Sequence, residues 1–132
     1  MKREWEEGRR QPIRTARVGH YATINAAGTI VIGRFTNEAL GSPEAVKLMF
    51  DRLNMSIGVK CAHPREDNAY PVKPMGRHGG KQIRGAQAAN QFGLRLPGTI
   101  RFIAPEIDED GLLILDLRNT RSVKRAAYKT KA

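Results

Sequence analysis

GTIVIGRFTNEALGSPEAVKLMFDRLNMSIGVK, residues 28–60, is followed further along by KQIRGAQAANQFGLRLPGTIRFIAPEIDEDGLLILDL, residues 81–117, and the two read as one unit written twice. Each holds a short strand, a helix of one to two turns ending in an apolar residue plus Gly (Leu40-Gly41, Phe92-Gly93), a Pro-containing turn and two alternating strands. A Gly just past a helix takes the left-handed backbone that closes it. Beyond each turn, apolar residues recur with the period of a half-buried strand: Val46, Leu48 and Phe50 in the first copy, Ile100 and Phe102 in the second. The strand then reverses through Asp51-Arg52-Leu53-Asn54, or through residues 106–111, whose acids, Asn and Gly suit hairpin loops. Residues 42–51 also admit a helix with Val46, Met49 and Phe50 on one face; the repeat favours the strand. Duplicated half-domains pair about a pseudo-two-fold axis, which lets one chain imitate a homodimer.

Outward from this unit, Tyr21-Ala22-Thr23-Ile24 and Thr29-Ile30-Val31-Ile32 flank an Asn-led turn closed by Gly28 and read as a hairpin. A short helix follows, starting near Arg34 or Thr36. Residues 63–80 change character: their prolines and glycines predict an irregular connector, with at most one edge strand near residues 68–72, where Pro71 is tolerated on an unpaired side. The organisation expected is a polar N-terminal arm (1–18), a tandem domain (19–117, with a first unit 19–62, a connector 63–80 and a second unit 81–117) and a basic tail (118–132). The fold class is mixed and mainly β with short helices: two ββαβ-type units forming a single domain.

The order strand, Ile32, short helix, Leu40-Gly41, turn, Val46-Lys47-Leu48, hairpin, Ile57-Gly58-Val59 resembles the swapped-hairpin AbrB-like superfamily of bacterial transition-state regulators and antitoxins. Two copies in one chain resemble its MraZ-type tandem arrangement, over roughly residues 21–117. The resemblance implies transcription regulation by a DNA-binding protein, or an antitoxin-like assembly module. Where such regulators often carry Arg, this chain has Thr29, Gly33, Asn37 and Glu38, and its second helix has no basic residue, so the DNA-reading positions do not carry over.

A chain of 132 residues is about one domain with one core. Its net charge of +10 is unevenly placed. Residues 1–18 carry six basic and three acidic side chains, 72–84 four basic and no acidic, and 118–132 six basic and no acidic, whereas 19–71 is neutral and 85–117 nets −3. That distribution favours an anionic partner. Duplex DNA is the favoured one, with RNA or a ribonucleoprotein as the alternative and a protein partner as the third. The chain is expected to be a monomer with an internal pseudo-dimer or a homo-oligomer. The single cysteine, Cys61, excludes an intramolecular disulfide and a cysteine zinc cluster. With no long apolar run and no apolar leader, no membrane partner is expected; the expected compartment is the cytoplasm, with nucleoid association if the partner is DNA.

The candidate phosphate contacts are Arg9, Arg10, Arg14 and Arg17 in the arm, Arg34 on the first helix, Lys73, Arg77, Lys81 and Arg84 around the connector, and Arg118, Arg121, Lys124, Arg125, Lys129 and Lys131 in the tail. Basic residues at 118, 121, 125 and 129 would line one face of a helical tail. In residues 76–84 (GRHGGKQIR) consecutive glycines expose amides to a phosphate, or simply make a flexible linker; the spacing is not that of a nucleotide-binding loop. Base-edge candidates are Arg34, Asn37, Gln87 and Asn90. Trp5 has two readings: packing on the core, or stacking on a base for roughly 1–3 kcal/mol. Cys61 and His63 are two apart and not thereby a nucleophile–base pair; a buried or half-buried structural cysteine is the expected reading. The acids at 106, 108, 109 and 110 lack the ligand order of a calcium loop. No enzymatic activity, cofactor or metal site is expected.

Overall fold

The computed structural model describes residues 4–5 and 19–123. Strands β1 (Ala22–Ile24) and β2 (Thr29–Ile32) form the expected hairpin. Its turn closes because the Asn25 carbonyl accepts the Gly28 N–H at 2.9 Å and the Asn25 side-chain oxygen accepts the Thr29 N–H at 2.9 Å. Helix α1 (Arg34–Ala39) and helix α2 (Ala86–Phe92) stop in the same way. In α1, Gly41 N–H donates to Glu38 and Ser42 N–H to Asn37; in α2, Gly93 N–H donates to Asn90 and Leu94 N–H to Ala89. These are paired Schellman bonds around a left-handed glycine, with φ of 99° at Gly41 and 75° at Gly93.

Strands β3 (Ala45–Asp51) and β4 (Ser56–Ala62) pair along their whole length, so residues 45–51 are strand and not helix. The Asp51 carboxylate caps their turn, accepting the Asn54 side-chain amide at 2.7 Å and its backbone N–H at 3.2 Å. The connector departs from expectation. Residues 70–75 are a strand, β5 (Tyr70–Met75), paired with β6 (Gly80–Arg84) on one side and with the start of β3 on the other, so it is interior to the sheet. Prolines are tolerated there because successive N–H groups point to opposite sides. Val72 N–H donates to Glu44 on the β3 side. Pro74 therefore faces the same side beyond the end of β3, and Pro71 faces β6 beyond the last ladder pair. Residues 76–79 are the hairpin turn, with positive φ at Gly76 and Gly79, and not a free amide nest.

The second half of the repeat also pairs differently from expectation. Strand β7 (Ile100–Phe102) does not return through residues 106–111 onto its own neighbour. It lies between β1 and β10 (Thr120–Ser122), inside the segment expected to be tail. The 106–111 loop instead joins the two-residue β8 (Glu106–Ile107) to β9 (Leu113–Asp116), and β9 pairs with β4. All ten strands form one antiparallel sheet in the order β10-β7-β1-β2-β6-β5-β3-β4-β9-β8.

Alternation sends one residue in two inward. Ile24, Ile30, Ile83 and Phe102 from one end of this order share a single buried cluster with Val46, Val59, Leu113 and Leu115 from the other. A ten-stranded sheet whose two ends meet in one cluster must curl on itself. Each such side chain contributes roughly 1.5–3 kcal/mol by leaving water. Helix α2 is seated on the β1–β2 turn: a Cβ on Gly28 would lie 2.9 Å from the Ala86 Cα and from the Ala89 Cβ.

Candidate nucleic-acid interface

Residues directly opposed in antiparallel strands share a face. The register aligns Arg121 with Arg101, Arg101 with Thr23, Thr23 with Val31, Val31 with Gln82, and Gln82 with Lys73. This row crosses six strands on the side away from the core, because its neighbours Ile24, Ile30 and Ile83 point inward. Arg84, two residues beyond Gln82, shares that outward face. Five strand spacings of about 4.8 Å place Arg121 and Lys73 roughly 24 Å apart along the sheet. The six strands β1, β2, β5, β6, β7 and β10 hold Lys73, Lys81, Arg84, Arg101 and Arg121 and no Asp or Glu. Among the described residues none of these five makes an ion pair. The Arg101 guanidinium lies 4.9 Å from the Tyr21 ring centroid, a cation–π contact that keeps its charge.

Beside this face runs a polar groove of about 570 Å³ along the flank of α2. Arg84, Asn68, Gln87 and Gln91 line it together with Leu48 and Ala88. Gln87 and Gln91 stand one turn apart on one helix face. Three contacts fix that helix: the Gly28 seat, the Phe92 ring stacked 4.9 Å from Phe50, and the Arg52 guanidinium, which donates to the Gln91 and Phe92 carbonyls at 3.4 Å. Arg52 thereby satisfies C-terminal carbonyls that the helix itself leaves open.

The sequence-level candidates separate into groups. Lys73, Arg84 and Arg121 lie on the same outward face, with Arg121 at its far edge, and Arg84 and Gln87 both line the groove. Arg77 lies at the β5–β6 turn, near Arg34, whose stem packs so closely on Gly79 that a Cβ there would sit 2.5 Å from the Arg34 Cδ. Arg34 is also paired with Glu38 at 3.6 Å. Lys81 shares the inward parity of Ile83 and is half-buried. Arg118 is held by Asp116 at 3.4 Å, apart from the row. Arg9, Arg10, Arg14, Arg17, Lys124, Arg125, Lys129 and Lys131 lie outside the described residues, as does the proposed helical face of the tail beyond Arg121.

Two expectations are corrected at the level of side chains. Asn37 cannot read a base edge: it is 5% exposed, with its Oδ1 unpaired among the described residues. The neighbouring Thr36 hydroxyl is equally internal, accepting the Tyr21 N–H at 2.9 Å. Trp5 is 84% exposed and so is not tucked into the core. Asn90 remains exposed on α2. Arg101, Asn68 and Gln91 were not anticipated; the pattern Ile100-Arg101-Phe102 already marks Arg101 as the outward residue of a half-buried strand.

Cys61 is exposed rather than structural, yet its Sγ donates to the Leu40 carbonyl at 3.0 Å, and partial burial raises its pKa, which disfavours the thiolate. His63 is engaged elsewhere, its Nδ1 accepting the Arg65 N–H at 3.1 Å. The Glu66 carboxyl is held below its usual range by the His63 N–H and then by Lys47. Among the described residues no group of three His, Cys, Asp or Glu could hold a metal ion, and no helix is long and apolar enough to cross a membrane. The opposite outer face, on β3, β4 and β9, carries an apolar groove of about 430 Å³ lined by Met49, Gly58, Leu112 and Ile114. The chain matches no protein-family model, no curated protein and no solved structure.

Proposed function

We propose that this chain is a non-enzymatic nucleic-acid-binding protein that grips the phosphate backbone, with duplex DNA as its principal partner and a regulatory or accessory role. The observation that carries this reading is the outward face of Lys73, Arg84, Arg101 and Arg121, free of ion pairs and of acids across six strands. Guanidinium and ammonium groups on a rigid sheet make charge-assisted bonds to phosphates and release condensed counterions. In the sequence, the basic residues 124–131 follow shortly after β10, which ends at Ser122.

The tandem AbrB-like arrangement is part of the proposal. Its support is topological: β2 pairs with β6, each leading into a helix, while β1 pairs with β7 and β5 with β3. In that scheme β10 takes beside β7 the place that β4 takes beside β3, and the β8–β9 hairpin is an insertion laid against β4. Cytoplasmic location follows from the proposed partner. RNA is the second reading, favoured by the concave groove at α2, since unpaired bases are commoner in RNA.

Fluorescence anisotropy with random-sequence duplex DNA and with RNA, at low and near-physiological salt, tests this. Salt-steep binding to duplex DNA is the expected result. Negligible binding to both nucleic acids at low salt would overturn it.

A further inference from the structure

We infer that the groove between α2 and the start of β5 captures a single unpaired purine nucleotide, an inference that rests on the nucleic-acid-binding reading above. Four polar side chains converge there, Arg84, Asn68, Gln87 and Gln91, and among the described residues none has a hydrogen-bond or ionic partner for its side chain. Their chemistry is specific. A guanidinium matches the O6 and N7 acceptors of guanine, and a carboxamide matches the N6 donor and N7 acceptor of adenine. Among the described residues, no acid lines the groove.

Shape separates an unpaired base from a paired one. Reading a duplex in its major groove requires a protruding helix or ribbon that enters the groove. Here the readers line a depression of about 570 Å³ with Leu48 and Ala88 among its walls, within the size range of small-molecule sites. A depression with polar rims and apolar surface accommodates a base turned out of its stack, its ring against aliphatic carbon and its edge against the amides. Arg84 belongs both to this groove and to the basic outward face, so the phosphates of the captured nucleotide lead directly onto Lys73. The strand and helix that carry the readers are fixed by the Gly28 seat and the Phe50–Phe92 stack, so the site needs little ordering on binding.

The test is anisotropy titration of the full chain with a DNA duplex carrying one unpaired A, G, C or T, and with the same duplex fully paired. The duplexes with an unpaired purine are expected to bind roughly tenfold tighter than the other three, the factor that one good bidentate base contact supplies. The double variant Gln87→Ala/Gln91→Ala should lose the preference for unpaired adenine and keep its affinity for the paired duplex; both side chains are exposed, so the core is untouched. The same purine preference in a bulged RNA duplex but not in DNA supports the groove and assigns it to RNA. Equal binding to every DNA and RNA probe, a pyrimidine preference, or an adenine preference that survives in the double variant would overturn the inference and leave the phosphate-binding reading standing. No binding to any probe at low salt would overturn both.

Discussion

The six strands β10-β7-β1-β2-β6-β5 and the four strands β3-β4-β9-β8 are built on the same alternation and meet in the same core, yet their outer surfaces are opposites. The first set carries five basic residues and no acid; the second carries Lys47 and Lys60 against Asp51, Glu106 and Asp116. On the first, one register row runs Arg121, Arg101, Thr23, Val31, Gln82, Lys73; on the second, the row is Met49, Gly58, Ile114, Glu106. A strand's inward residues are constrained by packing, and its outward residues are free to vary, so the difference between the faces reflects what each one meets. Among the described strands, positive charge without acids is therefore confined to one set.

The largest expected effect lies in the core that the two sets share. Phe102, 1% exposed on β7, shares its cluster with Val46, Val59, Leu113 and Leu115 of the other set. Phe102→Ala should cost about 3–5 kcal/mol, and urea unfolding should remain a single transition by both circular dichroism and the methyl NMR signals of Ile83 and Val59. Two separate transitions would show independent halves. Next in size is charge reversal at Lys73, Arg101 and Arg121 to Glu. The slope of log affinity against log salt should fall by about 0.9 for each phosphate no longer neutralised, whereas Lys47→Glu with Lys60→Glu on the other face should leave it unchanged. Equal reductions from both variants would mean that net charge, and not its placement, drives binding. Gly28→Ala should cost about 1–3 kcal/mol because φ there is 90° and the new methyl meets the α2 backbone. Chemical denaturation measures that cost. The same variant should weaken capture of an unpaired base more than binding to a paired duplex, since it displaces the helix and not the basic row.

The smallest effect concerns pH and belongs to the acidic side. The Asn54 side-chain amide, and then its backbone N–H, hold the Asp51 carboxyl below its usual range. Its folded pKa is lowered, so its contribution to the β3–β4 turn is complete above the ordinary carboxylate range and is lost as pH falls through the depressed folded value. Carboxyl chemical shifts followed through an acid titration should show the Asp51 midpoint rising when Asn54→Ala removes the side-chain amide. An Asp51 midpoint unchanged by Asn54→Ala would show that the amide does not hold the carboxylate.

What was legible in the sequence was local. Asn25 and Gly28, Asp51 and Asn54, and the glycines at 41 and 93 carry their turn and helix-stop chemistry in a few adjacent residues, and each lies where that chemistry predicts. Pairing between distant strands was not legible. Prolines 71 and 74 read as breakers because the direction of their missing donors depends on where β3 and β6 end. The partner of β7 lies 20 residues further on, at Thr120–Ser122, in a stretch whose charge resembles a free tail. The site divides along the same line. Gln87 and Arg84 were visible as residue types, but their convergence with Asn68 and Gln91 required the fold. Asn37 looked like a reader because its burial depends on packing that the helix pattern alone does not show.

The pairing of early strands with late ones has a consequence for how the polypeptide can be divided. Residues 63–68 are exposed and carry no strand, so they offer a protease a natural point of cleavage between β4 and β5. Yet β1 pairs with β7, β2 with β6, β3 with β5 and β4 with β9, and all four ladders join the N-terminal fragment to the C-terminal one. The fragments are interleaved like the fingers of two hands, each supplying strands to both outer faces. A cut there leaves the two fragments joined noncovalently, and two intact chains unfolded and refolded at high concentration can trade fragments across the same four ladders, giving a reciprocal dimer with two basic faces.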